Sequence, residues 1–261
     1  MREFDPGPPQ NFAEIFSRIP DYSPYKDYFW YDWGPVFYRG RLDGSARLLC
    51  VASDPGPTER IAMRTLVGDA GQLTQGFLAR SGLTRSYLCL NAFAYALIPG
   101  ESSKGAKILK DQVHKAWQKE IFDSAKGPEL QAIVAFGEYA QKAIGQWVGR
   151  PNLPVFNVPH PSSRDTKKRL ESWRDAVERL RKIITPDEDA DPRLPNYGTA
   201  LEESDYASIP PRDLPFGVPE WLGDDAWGRK AKPVHRNCVS RPTPDDRHTL
   251  IWIAPVHEAK T

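Results

Sequence analysis

Four short apolar runs divide the first 160 residues of the chain into segments of strand length. They cover residues 46–53, 86–92, 131–137 and 155–160, and turn-forming residues such as Ser53, Asn91 and Gly137 stand at or near their ends. Short apolar runs bounded by turn formers are typical of strands that are buried on both faces. The pattern therefore predicts four buried strands.

Between and after these runs, apolar residues recur at the spacing of an amphipathic helix. Four such groups occur: Leu73, Phe77 and Leu78; Leu109, Val113, Trp117 and Ile121; Ala140, Ile144 and Trp147; and Leu170, Trp173, Val177, Leu180 and Ile184. Strands that alternate with helices favour a parallel sheet covered on both faces. We therefore expect an α/β fold, a three-layer α/β/α sandwich with a central four-stranded parallel sheet.

The regions on either side of this core, which spans residues 46–185, have a different composition. Residues 1–45 include DYSPYKDYFWYDWGPVFYRG, which predicts an aromatic and proline-rich arm packed on the core; a surface on which bases stack is the alternative. Residues 186–261 form a proline-rich extension. Its acidic first part predicts a solvated, partly irregular wrap, with the shielding of a basic face as the alternative, and HTLIWIAPVHE has strand-like character.

The composition narrows the class of protein. Hydrophobic residues make up 40% and charged residues 26% of 261 positions, and no run approaches the roughly 18 apolar residues that span a bilayer. The first residues also lack the pattern of a secretory signal, so we expect a cytoplasmic protein with no membrane partner, and a monomer. A formal net charge of +1 argues against a protein that coats nucleic acid but allows a local basic face.

The three cysteines give no pattern of a metal site or a disulfide framework. Cys50, Cys89 and Cys238 are widely spaced and odd in number, and no CxxC motif is present. Cys50 and Cys89 lie inside apolar runs, which predicts that they are core residues. We expect no metal and no cofactor.

Polar side chains follow three of the four predicted strands. Asp54 follows the first strand, in Ser53-Asp54-Pro55-Gly56, Asn91 closes the second, and His160 follows the fourth between two prolines. Each could be an ordinary turn residue when it is taken alone. The carboxyl ends of parallel strands nevertheless meet at one sheet edge, where open α/β sheets bind ligands. The order of these residues predicts one pocket that they share.

The order and spacing of these residues resemble a known series of motifs. The stretch VASDPGPTE…LVGDAGQL…LCLNAF…AIVAFGEYA…NVPHPSS is similar to uracil-DNA glycosylases over roughly residues 35–185. The resemblance implies a DNA repair enzyme that flips a nucleotide out of single- or double-stranded DNA and hydrolyses its N-glycosidic bond. Uracil-containing DNA would be the substrate, and free uracil and abasic DNA would be the products.

The resemblance also implies roles for individual residues. Asp54 matches the catalytic aspartate, which positions a water and offsets the charge of the oxocarbenium-like sugar. His160 matches the histidine that donates a hydrogen bond to O2 of the departing base. Asn91 matches the residue that reads the uracil edge, since its amide both donates and accepts. Four further residues are expected to line the base pocket: Ser53, Pro55, Gly56 and Leu66.

The segment after His160 is basic. Residues 164–182 contain eight basic and four acidic side chains. The residues expected to contact DNA are Ser162, Ser163, Arg164, Lys167 and Lys168, and Arg169 extends the same run. Arg164 takes the place of the family's wedge residue. An ordinary solvated helix face would give the same charge count, so that alternative stays open.

The chain departs from the best-known branches of the family. Ala52 and Ser53 replace Gly-Gln before the catalytic aspartate, Gly56 replaces a tyrosine that excludes thymine, and Leu66 replaces a stacking phenylalanine. The cysteines of the iron–sulfur branch are absent. The sequence thus predicts a divergent member without a cluster. The alternatives are a slow or inactive relative that binds uracil-containing or abasic DNA tightly, and a hydrolase of small nucleosides or nucleotides.

Overall fold

The computed structural model describes residues 3–98, 100, 102–218, 222, 239–240 and 251–252. A five-stranded sheet lies at its centre, with the order β1-β3-β2-β4-β5. The strands are β1 (Tyr38–Gly40), β2 (Leu48–Ala52), β3 (Tyr87–Asn91), β4 (Ala132–Phe136) and β5 (Val155–Val158). Strands β2 to β5 are parallel, and they are the four strands that the apolar runs predict.

The prediction of four strands is wrong by one, because β1 pairs antiparallel with β3 at the sheet edge. Strand β1 has three residues and contains the buried Arg39, so no apolar run marks it in the sequence. It also falls within residues 1–45, the range assigned to the arm.

Seven α-helices surround this sheet in the described part of the chain. They are α1 (Gln10–Ser17), α2 (Pro57–Ala62), α3 (Asp69–Arg80), α4 (Ser102–Ile108), α5 (Gln112–Ser124), α6 (Glu138–Gln146) and α7 (Thr166–Leu180), with short 3-10 helices at Ser23–Tyr28, Tyr31–Trp33, Glu203–Asp205 and Pro211–Asp213. None of the described helices is long and apolar enough to span a membrane.

The two faces of the sheet are covered by different helices. Leu49 and Val51 of β2 pack with residues of α1, α5 and α6, whereas Leu48 and Cys50 pack with α3 and α7. The alternation follows from the two-residue period of a strand. The three-layer α/β/α arrangement is therefore confirmed. Most of the apolar residues that form the predicted helical pattern are buried, but Val113 is 63% exposed.

The cysteine prediction holds where the structure describes these residues. Cys50 and Cys89 are fully buried free thiols on neighbouring strands, and they are register partners between β2 and β3. Cys238 lies outside the described residues.

The aromatic N-terminal segment pairs with the chain that follows β3. Phe29 forms an antiparallel bridge with Leu97, and the backbone N–H of Trp30 donates to the carbonyl of Ala96 at 2.8 Å. The Tyr22 hydroxyl and Nδ1 of His114 are hydrogen-bonded at 2.6 Å. The N-terminal segment thus supports the loop at the carboxyl end of the sheet.

The C-terminal extension is attached to the core through buried carboxylates. Asp213 is fully buried and pairs with Arg39 at 3.0 Å, Asp205 pairs with Arg80 at 2.8 Å, and the largely buried Asp187 accepts from three successive backbone N–H groups of residues 84–86. The expectation of a solvated wrap is wrong for these carboxylates, because arginines of the core neutralise Asp205 and Asp213. Further along, Val239–Ser240 (β6) pairs antiparallel with Ile251–Trp252 (β7). Strand β7 lies inside the stretch that was predicted to have strand character.

Candidate active site

Four parallel strands end at one edge of the sheet, where the predicted residues lie. Asn91 is the register partner of Ala52, so it lies beside the turn that carries Asp54. Gly137, which follows β4, has φ +84°, and a Cβ there would lie 3.0 Å from Cβ of His160. The residues therefore follow one another along the edge in the order Asn91, Asp54, Gly137 and His160.

The Asp54 carboxylate is half-buried and held by two donors. The Ser53 hydroxyl donates to Oδ1 at 2.6 Å, and the backbone N–H of Leu97 donates to Oδ2 at 2.9 Å. Burial raises the pKa of Asp54 to about 6, against the effect of both hydrogen bonds, and the nearby Glu59 charge raises it further. At neutral pH the group is mostly a carboxylate that is poorly shielded by water.

His160 is held as a neutral hydrogen-bond donor. The backbone N–H of Ser162 donates to Nδ1 at 3.2 Å, which leaves the ring proton on Nε2. Burial lowers the pKa of His160 to about 4, and the positive charge of Arg169 acts in the same direction. The imidazole is therefore uncharged at neutral pH and can donate from Nε2.

Helix α7 fixes the loop that carries His160. Arg169 is buried, and its guanidinium donates to the carbonyl of Pro161 and, at 2.9 Å, to the carbonyl of Ser163. The Trp173 indole N–H donates to the carbonyl of Pro159 at 3.0 Å. The expectation that Arg169 contacts phosphates with its neighbours is thus wrong, since its charge serves the loop from inside.

The other residues of the basic segment lie on the surface. Ser162, Arg164, Lys167 and Lys168 are exposed, and Ser163 is half-buried. The helix begins after Asp165, whose carboxylate accepts from the backbone N–H of Lys168 at 3.0 Å. Their contact with DNA stays a prediction.

Asn91 has an unusual environment for a buried amide. Its Oδ1 and Nδ2 atoms are both buried, and neither has a hydrogen-bond partner among the residues that the structure describes. Leaving such groups unpaired costs about 1–3 kcal/mol for each group. A buried amide with both functions free, at a sheet edge where ligands bind, is available to a ligand that both donates and accepts.

The comparison with known families agrees with this geometry. A family model described as the uracil DNA glycosylase superfamily matches residues 39–181, which is more than half of the chain. The chain belongs to the uracil DNA glycosylase superfamily. No curated protein is a significant match to it. The matched region runs from β1 to the residue after α7, so it includes all five strands and every residue of the candidate site.

Membership of the uracil DNA glycosylase superfamily makes the chain a DNA glycosylase in general terms, a hydrolase of DNA repair that acts on DNA. The predicted superfamily is thus confirmed. Among the residues that the structure describes, no three His, Cys, Asp or Glu side chains converge as a metal site would require.

In this superfamily member, Glu59 holds two loops of the site together, although none of the sequence motifs assigns it a role. Its Oε1 accepts from the backbone N–H groups of Val67 and Gly68 at 2.7 and 2.9 Å, and its Oε2 accepts from Gly56 at 3.0 Å. The side chain is 7% exposed. Glu59 therefore joins the turn that follows Asp54 to the loop that contains Leu66. Its position three residues after Gly56 is the spacing of a capping box, which is a signal that the sequence carries.

Leu66 is held in a left-handed backbone conformation with φ 53°, which is rare for a leucine. It is 5% exposed and packs in the same cluster as Ala52 and Leu73. A Cβ on Gly71 would lie 1.7 Å from the Leu66 carbonyl oxygen, so only glycine fits at position 71. Such local strain is often retained at ligand sites. Pro55, which is predicted to contact the base, is buried, and the Gly56 N–H is occupied by Glu59.

Proposed function

We propose that this protein hydrolyses the N-glycosidic bond of uracil in DNA and leaves an abasic site. The observation that carries the proposal is a half-buried carboxylate, Asp54, held by two donors at the same sheet edge as a neutral imidazole donor, His160. Bond cleavage creates positive charge on the sugar and negative charge on the departing base. A fixed anion and a fixed neutral donor suit these two developing charges.

Asp54 acts on the sugar. Its carboxylate offsets the positive charge of the oxocarbenium-like transition state and orients the attacking water. Because the carboxylate is already held by Ser53 and Leu97, little reorganisation is needed when the charge develops.

His160 acts on the departing base. Its Nε2–H donates to O2 as negative charge accumulates on that oxygen. A neutral imidazole can donate this hydrogen bond without a change in its own protonation state. The lowered pKa of His160 keeps the ring neutral throughout the neutral pH range.

Asn91 selects the base. Its Oδ1 accepts from N3–H of uracil, and its Nδ2 donates to O4, which satisfies both unpaired functions. Cytosine presents an amino group in place of O4 and lacks a proton on N3, so in this orientation of the amide it would leave both functions of Asn91 unsatisfied. The choice of uracil over cytosine therefore requires that the amide be held in this orientation when the base is bound.

The glycosidic bond is out of reach within the base stack, so the nucleotide must be flipped into the pocket. Exposed Arg164, Lys167 and Lys168 beside the His160 loop supply positive charge for the DNA backbone, and Ser162 and Ser163 supply short donors. We infer that Arg164, which is exposed in the same loop, fills the space that the flipped base vacates.

An oligonucleotide assay tests the proposal. Single- and double-stranded DNA with one uracil is incubated with the protein and then treated with alkali, which cleaves abasic sites. We expect cleavage at uracil, and about a hundredfold slower excision by Asp54→Asn and by His160→Ala. Asp43→Asn is the matched control, because Asp43 is an exposed carboxylate that bonds only to Ser45 among the described residues.

Each result has a clear meaning. Wild-type rates in Asp54→Asn or His160→Ala would contradict the assigned roles. A stable gel shift without cleavage would identify a slow binder of uracil-containing or abasic DNA instead. Substrates with hypoxanthine, xanthine or mismatched thymine define the base preference, since Gly56 stands where a tyrosine excludes thymine in the best-known branch.

A further inference from the structure

Arg60 is a partly buried arginine with no hydrogen-bond acceptor among the described residues. Its Nη1 atom is buried and unpartnered, and its guanidinium carbon lies 5.1 Å from the centre of the Trp33 ring. The ring provides a cation–π contact but does not satisfy the N–H groups. The guanidinium is thus held in place with donors still free.

The described charged side chains next to Arg60 in the sequence have other partners. The adjacent Glu59 carboxylate already accepts three backbone hydrogen bonds, from Gly56, Val67 and Gly68. Arg64, which follows shortly after Arg60 in the sequence, is paired with Asp5 at 2.7 Å. Within the described ranges, the Arg60 guanidinium is thus left without an acceptor for its buried Nη1.

The location of Arg60 is at the candidate site. Helix α2 begins three residues after Asp54, and Trp33 stacks on Trp30 at 5.4 Å in a cluster with Ala96. The next residue along the chain, Leu97, donates its N–H to Asp54. Arg60 thus contacts, through Trp33, the cluster that includes Ala96, the residue before the Asp54 donor.

We propose that Arg60, oriented by Trp33, binds a phosphate of the DNA backbone beside the flipped nucleotide. A guanidinium with free, planar donors matches the geometry of a phosphodiester, and its stacking on an aromatic ring lowers the entropy lost on binding. This inference rests on the proposed function.

The phosphate at Arg60 differs from the one at the basic loop. Arg60 follows β2, whereas Arg164, Lys167 and Lys168 follow β5, and β4 lies between these strands. Two steps across the sheet separate the two positions by about 10 Å. The DNA strand is thus held on both sides of the pocket.

The salt dependence of DNA binding tests the proposal. Affinity for an oligonucleotide with a non-cleavable abasic-site analogue is measured between low and moderate salt for wild type, Arg60→Gln, Arg60→Lys and Arg85→Gln. Arg85 is the matched control, because it precedes β3 at the opposite sheet edge and pairs with exposed Glu188 at 3.6 Å. Thermal unfolding of each variant shows whether it is folded.

We expect Arg60→Gln to bind about tenfold more weakly and to reduce the slope of log affinity against log salt by about 0.9 on duplex or about 0.7 on single-stranded DNA. Arg60→Lys should retain the slope but lose part of the affinity, and Arg85→Gln should match wild type. A folded Arg60→Gln with the wild-type slope would overturn the inference and make the Trp33 contact purely structural.

The outcomes separate this inference from the proposed function. If the wild type binds the analogue but excises no uracil, the proposed reaction fails while the Arg60 slope is still measured. If it excises uracil and the Arg60→Gln slope is unchanged, only the Arg60 inference fails. An absence of salt-dependent binding by the wild type would overturn both.

Discussion

Replacing Ser53 by alanine should shift the pH dependence of the reaction. The Ser53 hydroxyl donates to Asp54 at 2.6 Å and lowers its pKa. After its removal, the Leu97 N–H is the one donor to that carboxylate left among the described residues. The pKa of Asp54 must then rise above its value of about 6. Because the carboxylate is the active form, activity will be lost at a higher pH than in the wild type.

The size of this shift follows from the strength of the lost bond. A hydrogen bond to a charged group contributes about 1.5–3 kcal/mol, and one pKa unit corresponds to about 1.4 kcal/mol. Since Ser53 is partly exposed, water recovers part of that energy, and we expect an upward shift of about one unit. Excision should then fall about fivefold at pH 6 and change little at pH 8.

The assay is single-turnover excision of uracil from an oligonucleotide between pH 5 and pH 9. His160 does not interfere, because its pKa of about 4 lies below this range. Ser45→Ala is the control, since it removes a similar Ser–Asp bond at an exposed position. Glu59→Gln tests the opposite direction, because it removes a charge that raises the pKa of Asp54. The acidic limb of the pH–rate profile of this variant should move to lower pH. A limb that stays in place, or moves down, in Ser53→Ala would refute the reasoning.

Three further predictions concern other parts of the molecule. Asn91→Asp should slow uracil excision at least about tenfold, because a carboxylate cannot donate to O4; unaltered excision would contradict its role as the base reader. Asp213→Ala should destabilise the fold by about 3–5 kcal/mol in urea unfolding, since Arg39 would be left buried and unpaired, and a loss below about 1 kcal/mol would disprove this. The pKa of His114 is lowered to about 4 by burial, so stability should decrease as pH falls from about 6.5 towards 4; His114→Phe should flatten that slope in denaturant titrations, and an unchanged slope would show that other groups cause it.

The sequence pattern predicts the central sheet well because β2 to β5 are buried on both faces. Such strands appear as continuous apolar runs. Strand β1 escapes this rule, because Arg39 occupies its middle and is neutralised by Asp213, a residue 174 positions away. Long-range pairing of this kind leaves no local pattern. Val113 likewise fits the helical spacing, but it lies on the open side of α5.

The sequence predicts the candidate site as far as it predicts where the parallel strands end. Asp54, Asn91 and His160 each stand at a strand end, and topology alone brings those ends to one edge. The bond from the Leu97 N–H to Asp54 and the contact of Arg60 with Trp33 depend on how separate loops meet, which the sequence does not encode locally. Glu59 lies between these cases, since the capping-box spacing was visible but its bonds to Val67 and Gly68 were not.

The buried pair of Arg39 and Asp213 has a consequence for how the protein can be divided. The region that matches the superfamily begins at Arg39 and ends at residue 181, so it contains the arginine but not its counter-ion. It also omits Trp30, whose backbone supports the loop that holds Asp54. A fragment of residues 39–181 would keep every proposed catalytic side chain. It would lose Asp213, which neutralises the buried charge of Arg39. We therefore expect a fragment of residues 39–181 to be less stable than the full chain.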